Sequence, residues 1–353
     1  MYFDGHVHCR DEEESGKDTI EHVLRVCERA GVDGINDMSN TKRPITTRQR
    51  VYERLRLADA CHSPVYYGLS VGLTSNPDQI CEAVSIYNEF HRDGILPRVL
   101  GLKLFAGSST GDLAVTRFED QERVYKTLSD CNYRGVLIVH AEDENWINEN
   151  LFDYRNPATH CLVRPKGAEL SSVKHQVRHI INNNFDGTVH IAHVSTIDTM
   201  KYIVSCCREI GEHPDYKIKL SCGVTPHHLF LDDSVMSHGD GILYKVNPPL
   251  RTREDNKGLL EHLRKGTITC IETDHAPHTL EEKRSSSPPS GIPGIDKWPK
   301  IAKKLKEMVF AKEQIEDLTF FNAVKLFGLE KVVKRTDNAG DLNLREYSYG
   351  NYL

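Results

Sequence analysis

The stretch YFDGHVHCRDEEESGKDTIEHVLRVCERAGVDGINDM, residues 2–38, contains one complete strand–helix–strand unit. Its ends, 2–8 and 33–38, have the short, apolar-rich composition of strands. Between them Asp18 predicts the start of an amphipathic helix, and Gly31 predicts its end. Two strands that are separated by a helix are expected to pair in parallel, with the helix as the crossover.

The same alternation continues along the chain. Strands are predicted at 2–8, 33–38, 65–71, 98–105, 136–141, 188–194, 217–222 and 267–274. Further helices are predicted at about 44–62, 77–94, 118–133, 168–184, 197–211, 252–265, 296–312 and 315–328. Repeated strand–helix units predict an α/β fold, a single (β/α)₈ TIM-type barrel over residues 1–330. Residues 331–353 are expected to form a short tail that packs on the barrel.

The composition is that of an ordinary globular protein, with 39% hydrophobic and 27% charged residues and a net charge of −6. At about 150 residues per domain the length also allows two domains. The charge gives no basic surface for nucleic acid or an anionic membrane. No apolar stretch approaches the ~18 residues of a membrane span, and the N-terminus lacks a secretory pattern. We therefore expect a cytoplasmic protein.

The cysteines are interpreted within that setting. There are ten of them, and none forms a CxxC pair. In a reducing compartment they are expected to be free thiols that serve as small buried apolar groups. The alternative is a disulfide framework, which is typical of much shorter secreted chains.

Ionisable side chains recur where the predicted strands end, which is the catalytic end of such a barrel. They are His6, His8, Lys103, His140, His193 and Asp274. His6 and His8 lie two residues apart on one strand, so both project to the same face and can hold one cation. His193 is assigned to the site because it lies two residues after Ile191 on the predicted strand and therefore shares its face. Each histidine alone could be an ordinary core or surface residue, but together the six residues predict a metal site.

The remaining histidines are expected to lie outside this site. His190 has the opposite parity from His193 and should point toward the helices. His175 and His179 are four residues apart on a helix and are expected to be solvated. His227, His228 and His275 flank the site without an assigned role.

Lys103 needs a separate interpretation because an ammonium group cannot bind a metal ion. Burial beside cations would favour the neutral amine, which can add CO₂ to form an anionic carbamate. The alternative is an ion pair with a carboxylate such as Asp274. As a carbamate, Lys103 would bridge two ions, one held with His6, His8 and Asp274 and the other with His140 and His193. Mixed nitrogen and oxygen ligands suit Zn²⁺, with Mn²⁺, Co²⁺ or Fe²⁺ as alternatives.

Five motifs carry a family resemblance: DGHVHCR at 4–10, GLKLF at 101–105, VHAED at 139–143, HVST at 193–196 and TDHAPH at 273–278. Together they resemble the amidohydrolase superfamily and, within it, dihydroorotases. The resemblance implies reversible, metal-dependent hydrolysis of the cyclic amide of (S)-dihydroorotate to N-carbamoyl-L-aspartate, a step of pyrimidine biosynthesis. It implies Asp274 as the catalytic proton carrier, and two Zn²⁺ or other divalent ions bridged by carboxylated Lys103.

The resemblance also implies the substrate contacts. They are Arg10, Asn40, Asn247, His278 and the backbone of the loop 291–294, at Ile292 and Pro293. The alternatives are a surface ion pair of Arg10 with Asp11 or Glu12, and a turn position for Asn40. An arginine fork beside an amide suits the carboxylate of dihydroorotate, whereas an uncharged hydantoin would leave Arg10 without a partner. Gly107–Gly111 has the composition of a lid, from which Ser109 or Thr110 could reach the substrate.

The chain departs from the superfamily at its start. His6 lies so near the N-terminus that the small β-sandwich common in these proteins is expected to be absent or vestigial. The alternative functions are another cyclic amidase, of the hydantoinase or dihydropyrimidinase kind, and an inactive scaffold. The expected partner is a small-molecule substrate, with no nucleic acid or membrane, and a homodimer is compatible with the sequence.

Overall fold

The structure, a computed structural model, describes residues 1–109, 111–212 and 219–353. Its strands are β1 (Tyr2–Val7), β2 (Val32–Asp37), β3 (Tyr66–Gly72), β4 (Val99–Phe105), β5 (Val136–His140), β6 (Thr188–Ile191), β7 (Lys219–Val224) and β8 (Cys270–Ile271). They form one sheet in chain order, and every neighbouring pair is parallel. The predicted α/β barrel is thereby confirmed.

Helices connect the strands and cover the outside of the sheet. They are α1 (Ile20–Ala30), α2 (Arg48–Ala60), α3 (Pro77–Phe90), α4 (Phe118–Asp130), α5 (His160–Val163), α6 (Lys166–Asn182), α7 (Ile197–Glu212), α8 (Pro226–Phe230), α9 (Arg253–Arg264), α10 (Leu280–Lys283), α11 (Trp298–Glu307), α12 (Lys312–Glu316) and α13 (Asn322–Leu326). A π-helical turn, Asp317–Phe321, separates the last two, so the helix predicted over 315–328 is interrupted. No helix of the described ranges is both long and apolar enough to cross a membrane.

The first helix begins one residue later than predicted. The Thr19 hydroxyl accepts from the His22 N–H, so Thr19 is the N-cap of α1. The Asp18 carboxylate instead faces the His22 imidazole, 2.6 Å from its Nδ1. Gly31 ends the helix as predicted, with a left-handed φ of 71° that favours glycine.

The last strand is much shorter than the predicted 267–274. Thr273 donates its N–H and its hydroxyl to the buried Asp4 carboxylate, which takes the place of a strand partner. Burial raises the pKa of Asp4 to about 7. Beyond this point the His8 N–H donates to the His275 carbonyl over 2.8 Å, so β1 and the segment after β8 meet there.

Two apolar layers position the site. The larger one lies between the sheet and the helices and includes Leu102, Leu137 and Ile191. The smaller one fills the barrel interior from the opposite end, where Leu100 and Phe327 belong to the same cluster. The interior is thus packed at the amino ends of the strands, which leaves the carboxyl ends for chemistry.

The C-terminal tail contacts the segment that follows β8. Residues 331–353 are irregular, but Leu344 and Tyr349 are buried, and the Tyr349 hydroxyl accepts from the His278 N–H over 2.7 Å.

All ten cysteines are free, and half of them are buried: Cys9, Cys27, Cys206, Cys222 and Cys270. Cys81 and Cys207 are exposed, so the expected role as buried apolar groups does not hold for these two.

A buried ion pair supports the first loop. Arg54 of α2 donates to the Arg10 and Cys9 carbonyls over 2.8 and 2.7 Å, and to the Asp37 carboxylate over 2.7 Å. We expect Arg54→Met to lower the free energy of unfolding by about 3–5 kcal/mol, because it leaves the buried Asp37 carboxylate without its cationic partner, with only the Tyr67 hydroxyl and the Cys9 N–H as donors. Urea denaturation measures this, with the exposed Arg56→Met as control. A loss equal to that of the control would contradict the prediction.

Candidate active site

A cavity of about 390 Å³ opens at the carboxyl ends of the strands. Its lining contains most of the predicted site residues: His6, His8, Arg10, Asn40, Lys103, His140, His193, Asn247 and Asp274. Phe105, Ser109, Ala276, Ser290 and Gly291 complete the lining. Residues far apart in the sequence therefore meet at one place, as the barrel topology requires.

Three metal-type donors meet on one side of the cavity. Ligand atoms of His6, His8 and Asp274 all lie within 4.8 Å of one another. The Asp274 Oδ1 atom lies 2.9 Å from His8 Nε2 and 3.6 Å from His6 Nε2. Two imidazole nitrogens and a carboxylate around one point are a suitable ligand set for Zn²⁺.

His140 and His193 form a second pair of imidazoles next to these donors. His140 Nδ1 lies 3.2 Å from His193 Nε2, and the rings of His6 and His193 lie 5.3 Å apart. Burial lowers the pKa values of His6, His140 and His193 below the ordinary range. The imidazoles are therefore neutral near pH 7, which is the form that binds metal ions.

His193 reaches the site by a route that the parity argument did not foresee. Strand β6 ends at Ile191, whose side chain packs in the outer layer, and His193 adopts a left-handed φ of 41°. The kink turns its ring inward. The prediction for His190 was wrong: it points into the barrel, where Nδ1 lies 2.9 Å from Ser221 Oγ and Nε2 lies 3.3 Å from Glu272 Oε2.

Lys103 lines the same cavity and is fully buried. Its Nζ atom has no hydrogen-bond partner among the described residues and lies 5.0 Å from the centre of the Phe105 ring. Burial lowers the pKa of Lys103 to about 8, although Glu272 and Asp274 oppose the shift. A buried amine without a partner is costly, so the site suits a modified or neutral side chain better than a plain ammonium.

Arg10 is almost fully buried in the cavity wall. Its Nε donates to the Pro277 carbonyl over 3.3 Å, and Nη2 lies 3.4 Å from His278 Nε2. Within the described ranges its Nη1 makes no hydrogen bond, and the Glu14 carboxylate oxygen is 3.9 Å away. His278 lies behind Arg10 and is absent from the lining itself. A buried guanidinium with a spare donor suits an anionic ligand.

The two asparagines line the cavity, but each also holds a neighbouring side chain. Asn40 Oδ1 lies 2.7 Å from His8 Nδ1, which leaves the His8 Nε2 atom for Asp274 or a metal ion. Asn247 Oδ1 lies 3.0 Å from both His160 Nε2 and the Ser290 hydroxyl. Each asparagine therefore fixes the orientation of a neighbouring side chain, Asn40 that of His8 and Asn247 that of His160.

The loop after β8 reaches the cavity at its start. Ser290 and Gly291 line the cavity, and Gly291, the first residue of the predicted loop, has a φ of 138°. Ile292 and Pro293 are buried beside it, outside the lining, and the Ile292 carbonyl accepts from the Ala276 N–H. Ser109 also lines the cavity, whereas Thr110 falls outside the described residues.

Other histidines differ from expectation. His179 is fully buried beside Phe118 and Tyr125, so the predicted solvation was wrong for it, while His175 is partly exposed. His227, His228 and His275 are all buried. A helix surface that looks polar by spacing is covered when a neighbouring helix packs over it.

Several buried polar residues near the site were missed. The Glu142 carboxylate accepts from Arg164 Nη1 over 2.6 Å and lies 3.2 Å from His140 Nε2. Glu169 accepts from both the N–H and the hydroxyl of Ser195. Glu142 follows directly on the strand-end motif VHA, and that position was the available signal.

Known proteins are similar to this chain in sequence and in fold. No protein-family model matches the chain. It is 29% identical to dihydroorotase of Pyrococcus furiosus over 334 residues, covering 93% of this chain and 66% of that protein. It is 30% identical to dihydroorotase of Archaeoglobus fulgidus over 334 residues, covering 93% and 71%. The chain thus spans about two thirds of the length of these relatives.

Solved structures share the fold. L-hydantoinase (dihydropyrimidinase) from Arthrobacter aurescens superposes with a TM-score of 0.79 over 93% of this chain and 71% of that one, at 21% identity. Dihydropyrimidinase from Brevibacillus agri gives a TM-score of 0.74 at 21% identity. These structures show the fold, and the 30% identity to the Archaeoglobus relative, of which the chain covers 71%, shows that the chain belongs to the dihydroorotase family.

Proposed function

We propose that the protein is a metal-dependent dihydroorotase, which interconverts (S)-dihydroorotate and N-carbamoyl-L-aspartate. The observation that carries the proposal is a buried Arg10 guanidinium with a spare donor in the same cavity as the His6–His8–Asp274 cluster. This combination suits a substrate that has both a carboxylate and a hydrolysable ring amide. The names of the relatives in the sequence comparison support the same activity.

The donor set fits two divalent ions, with Zn²⁺ the best match to its mixture of nitrogen and oxygen. His6, His8 and Asp274 would hold one ion, and His140 and His193 would hold the other. Carboxylated Lys103 would be shared between them, since its buried amine has no other partner. When bound, the ions would lower the pKa of a water molecule to about 7 and polarise the ring carbonyl.

The protein's own side chains would complete the reaction. Arg10 would bind and orient the substrate carboxylate, with Asn247 and the Gly291 backbone in the lining of the same cavity. Asp274 would take the proton of the attacking water and return it to the departing ring nitrogen. Asn40 would hold His8 in the tautomer that keeps Nε2 unprotonated.

One experiment tests the activity directly. The protein, supplied with Zn²⁺ and bicarbonate, is assayed for dihydroorotate cleavage by absorbance, and its metal content is measured on the same sample. Hydantoin and dihydrouracil are assayed in parallel. We expect cleavage of dihydroorotate and little of the uncharged rings. A preference for an uncharged ring would indicate a hydantoinase-type enzyme, and full metal content without any turnover would indicate a scaffold.

Arg10→Met tests substrate recognition. Methionine can fill much of the buried volume but cannot bind a carboxylate, and hydrogen bonds to charged groups contribute about 1.5–3 kcal/mol. We therefore expect KM for dihydroorotate to rise about 10- to 100-fold, with the metal content unchanged. Steady-state kinetics at saturating metal measure this, and an unchanged KM would contradict the assigned role.

A further inference from the structure

A carboxylate that the mechanism above does not use lies directly beneath the predicted metal ligands. Glu272 follows β8 and is buried to 1% exposure. Its Oε1 accepts the backbone N–H of His193 over 2.6 Å. Its Oε2 lies 3.3 Å from His190 Nε2 and 3.8 Å from His6 Nδ1. One carboxylate therefore lies close to two predicted metal ligands, His6 of β1 and His193 just beyond β6.

Its contact with His193 stabilises a strained backbone. His193 has a left-handed φ of 41°, which is uncommon for a residue other than glycine and costs free energy. A short hydrogen bond from its N–H to a carboxylate offsets that cost and fixes the turn. Because the turn directs the imidazole toward His140, Glu272 sets the position of one side of the site.

Its contact with His6 acts on the tautomer. His6 Nδ1 is buried and has no hydrogen-bond partner among the residues that the structure describes, and Glu272 Oε2 is 3.8 Å away. At this distance the carboxylate favours a proton on Nδ1 electrostatically, without a direct hydrogen bond. The Nε2 atom, which faces Asp274 over 3.6 Å, is then left with its lone pair for a metal ion.

The neighbouring strand leaves room for this carboxylate. Gly223 of β7 pairs with Cys270 of β8, and a β-carbon on Gly223 would overlap the Glu272 side chain. The glycine is therefore needed for the close approach of Glu272 to β7.

We propose that Glu272 is a positioning residue for the metal site: it holds the turn at His193, selects the ligating tautomer of His6 and adds negative charge beneath the ions. This inference rests on the proposed function. Two divalent ions would carry four positive charges. The anionic groups among the proposed ligands, one carbamate and one aspartate, would carry only two negative charges. Glu272 supplies a further negative charge without occupying a ligand position.

The test uses the full-length protein and Glu272→Gln, which keeps the size and the acceptor for His193 but removes the charge. Both proteins are prepared metal-free and titrated with Zn²⁺ against a chromophoric chelator. Their Co²⁺ forms are compared by absorption spectroscopy. Loss of such a supporting carboxylate is expected to weaken metal binding about 10- to 100-fold. We also expect a changed Co²⁺ spectrum, a lower kcat and a KM within about twofold of wild type.

A second variant separates charge from packing. Glu272→Ala with Gly223→Ala removes the carboxylate but refills part of its space. It should melt near the temperature of metal-free wild type and still bind Zn²⁺ weakly. Wild-type Zn²⁺ affinity in Glu272→Gln would overturn the proposal. So would restored affinity in the double variant, because packing alone would then explain the effect.

The competing explanation is that Glu272 binds a separate metal ion beneath the predicted site. His190, Cys270 and Glu272 also place ligand atoms within 4.8 Å of one another. We expect Cys270→Ala to leave the number of bound Zn²⁺ ions unchanged, and loss of one ion in that variant would overturn the positioning role. Activity of the wild type on dihydroorotate is measured alongside. If Zn²⁺ binding depends on Glu272 but dihydroorotate is not cleaved, the proposed function fails and this inference stands.

Discussion

Lys103→Ala is expected to lose both its bound metal ions and its turnover, and to recover part of each when a short carboxylic acid is added. The reason is the position of Lys103, which is buried in the cavity lined by the imidazoles, with no partner for its amine in the part of the chain that the structure describes. A carbamate at that point would supply oxygen ligands to both ions, and alanine would supply none. The truncation also leaves a space into which acetate or propionate can bring a carboxylate.

The control is Lys103→Met, which removes the same amine but fills the space. It should lose metal like the alanine variant and show no rescue by acid. Neither variant should melt at a lower temperature than metal-free wild type, because the amine they remove is buried without a hydrogen bond. Full occupancy of both ions in Lys103→Ala would rule out the carbamate. The measurements are metal content, turnover with and without acid, and thermal melting.

The sequence was sufficient to predict the barrel because strand and helix patterns depend on local composition. The expectation that His6 and His8 share a face agrees with their positions, since their rings lie 5.2 Å apart, even though the pairing of β1 with β2 shifts register between Asp4 and Val7. Other site residues lie outside regular strands. His193 and Asp274 both lie beyond the ends of their strands with left-handed φ values of 41° and 49°. Parity along a strand cannot foresee such turns, which depend on partners that are distant in sequence.

Those distant partners explain the other differences. Glu272 holds the turn at His193 from a different strand, and Asp4 ends β8 by binding Thr273. Neither interaction has a local signature, because each joins residues about 80 or more positions apart. For the same reason the sequence did not predict that Asn40 contacts His8, which lies 32 residues away.

Asp274→Asn is expected to retain the metal ions but to lose most of the turnover. The amide keeps an oxygen toward His6 and His8 and tolerates the left-handed backbone at this position. It cannot take up a proton from the attacking water. Removal of a general base or acid typically costs about 10²–10⁴-fold in rate, and we expect kcat at saturating metal to fall by that much.

The control for this variant is Asp112→Asn, which makes the same chemical change in an exposed residue near the cavity. It should bind metal and turn over at the wild-type rate. A wild-type rate in Asp274→Asn would remove Asp274 as the proton carrier. Loss of one ion from Asp274→Asn would show that the carboxylate acts mainly as a ligand, and the rate could then be compared only after the ion is restored by excess Zn²⁺. Because Asp274 lies 2.9 Å from one predicted metal ligand and 3.6 Å from another, measuring metal content and rate on one sample is what separates the two roles.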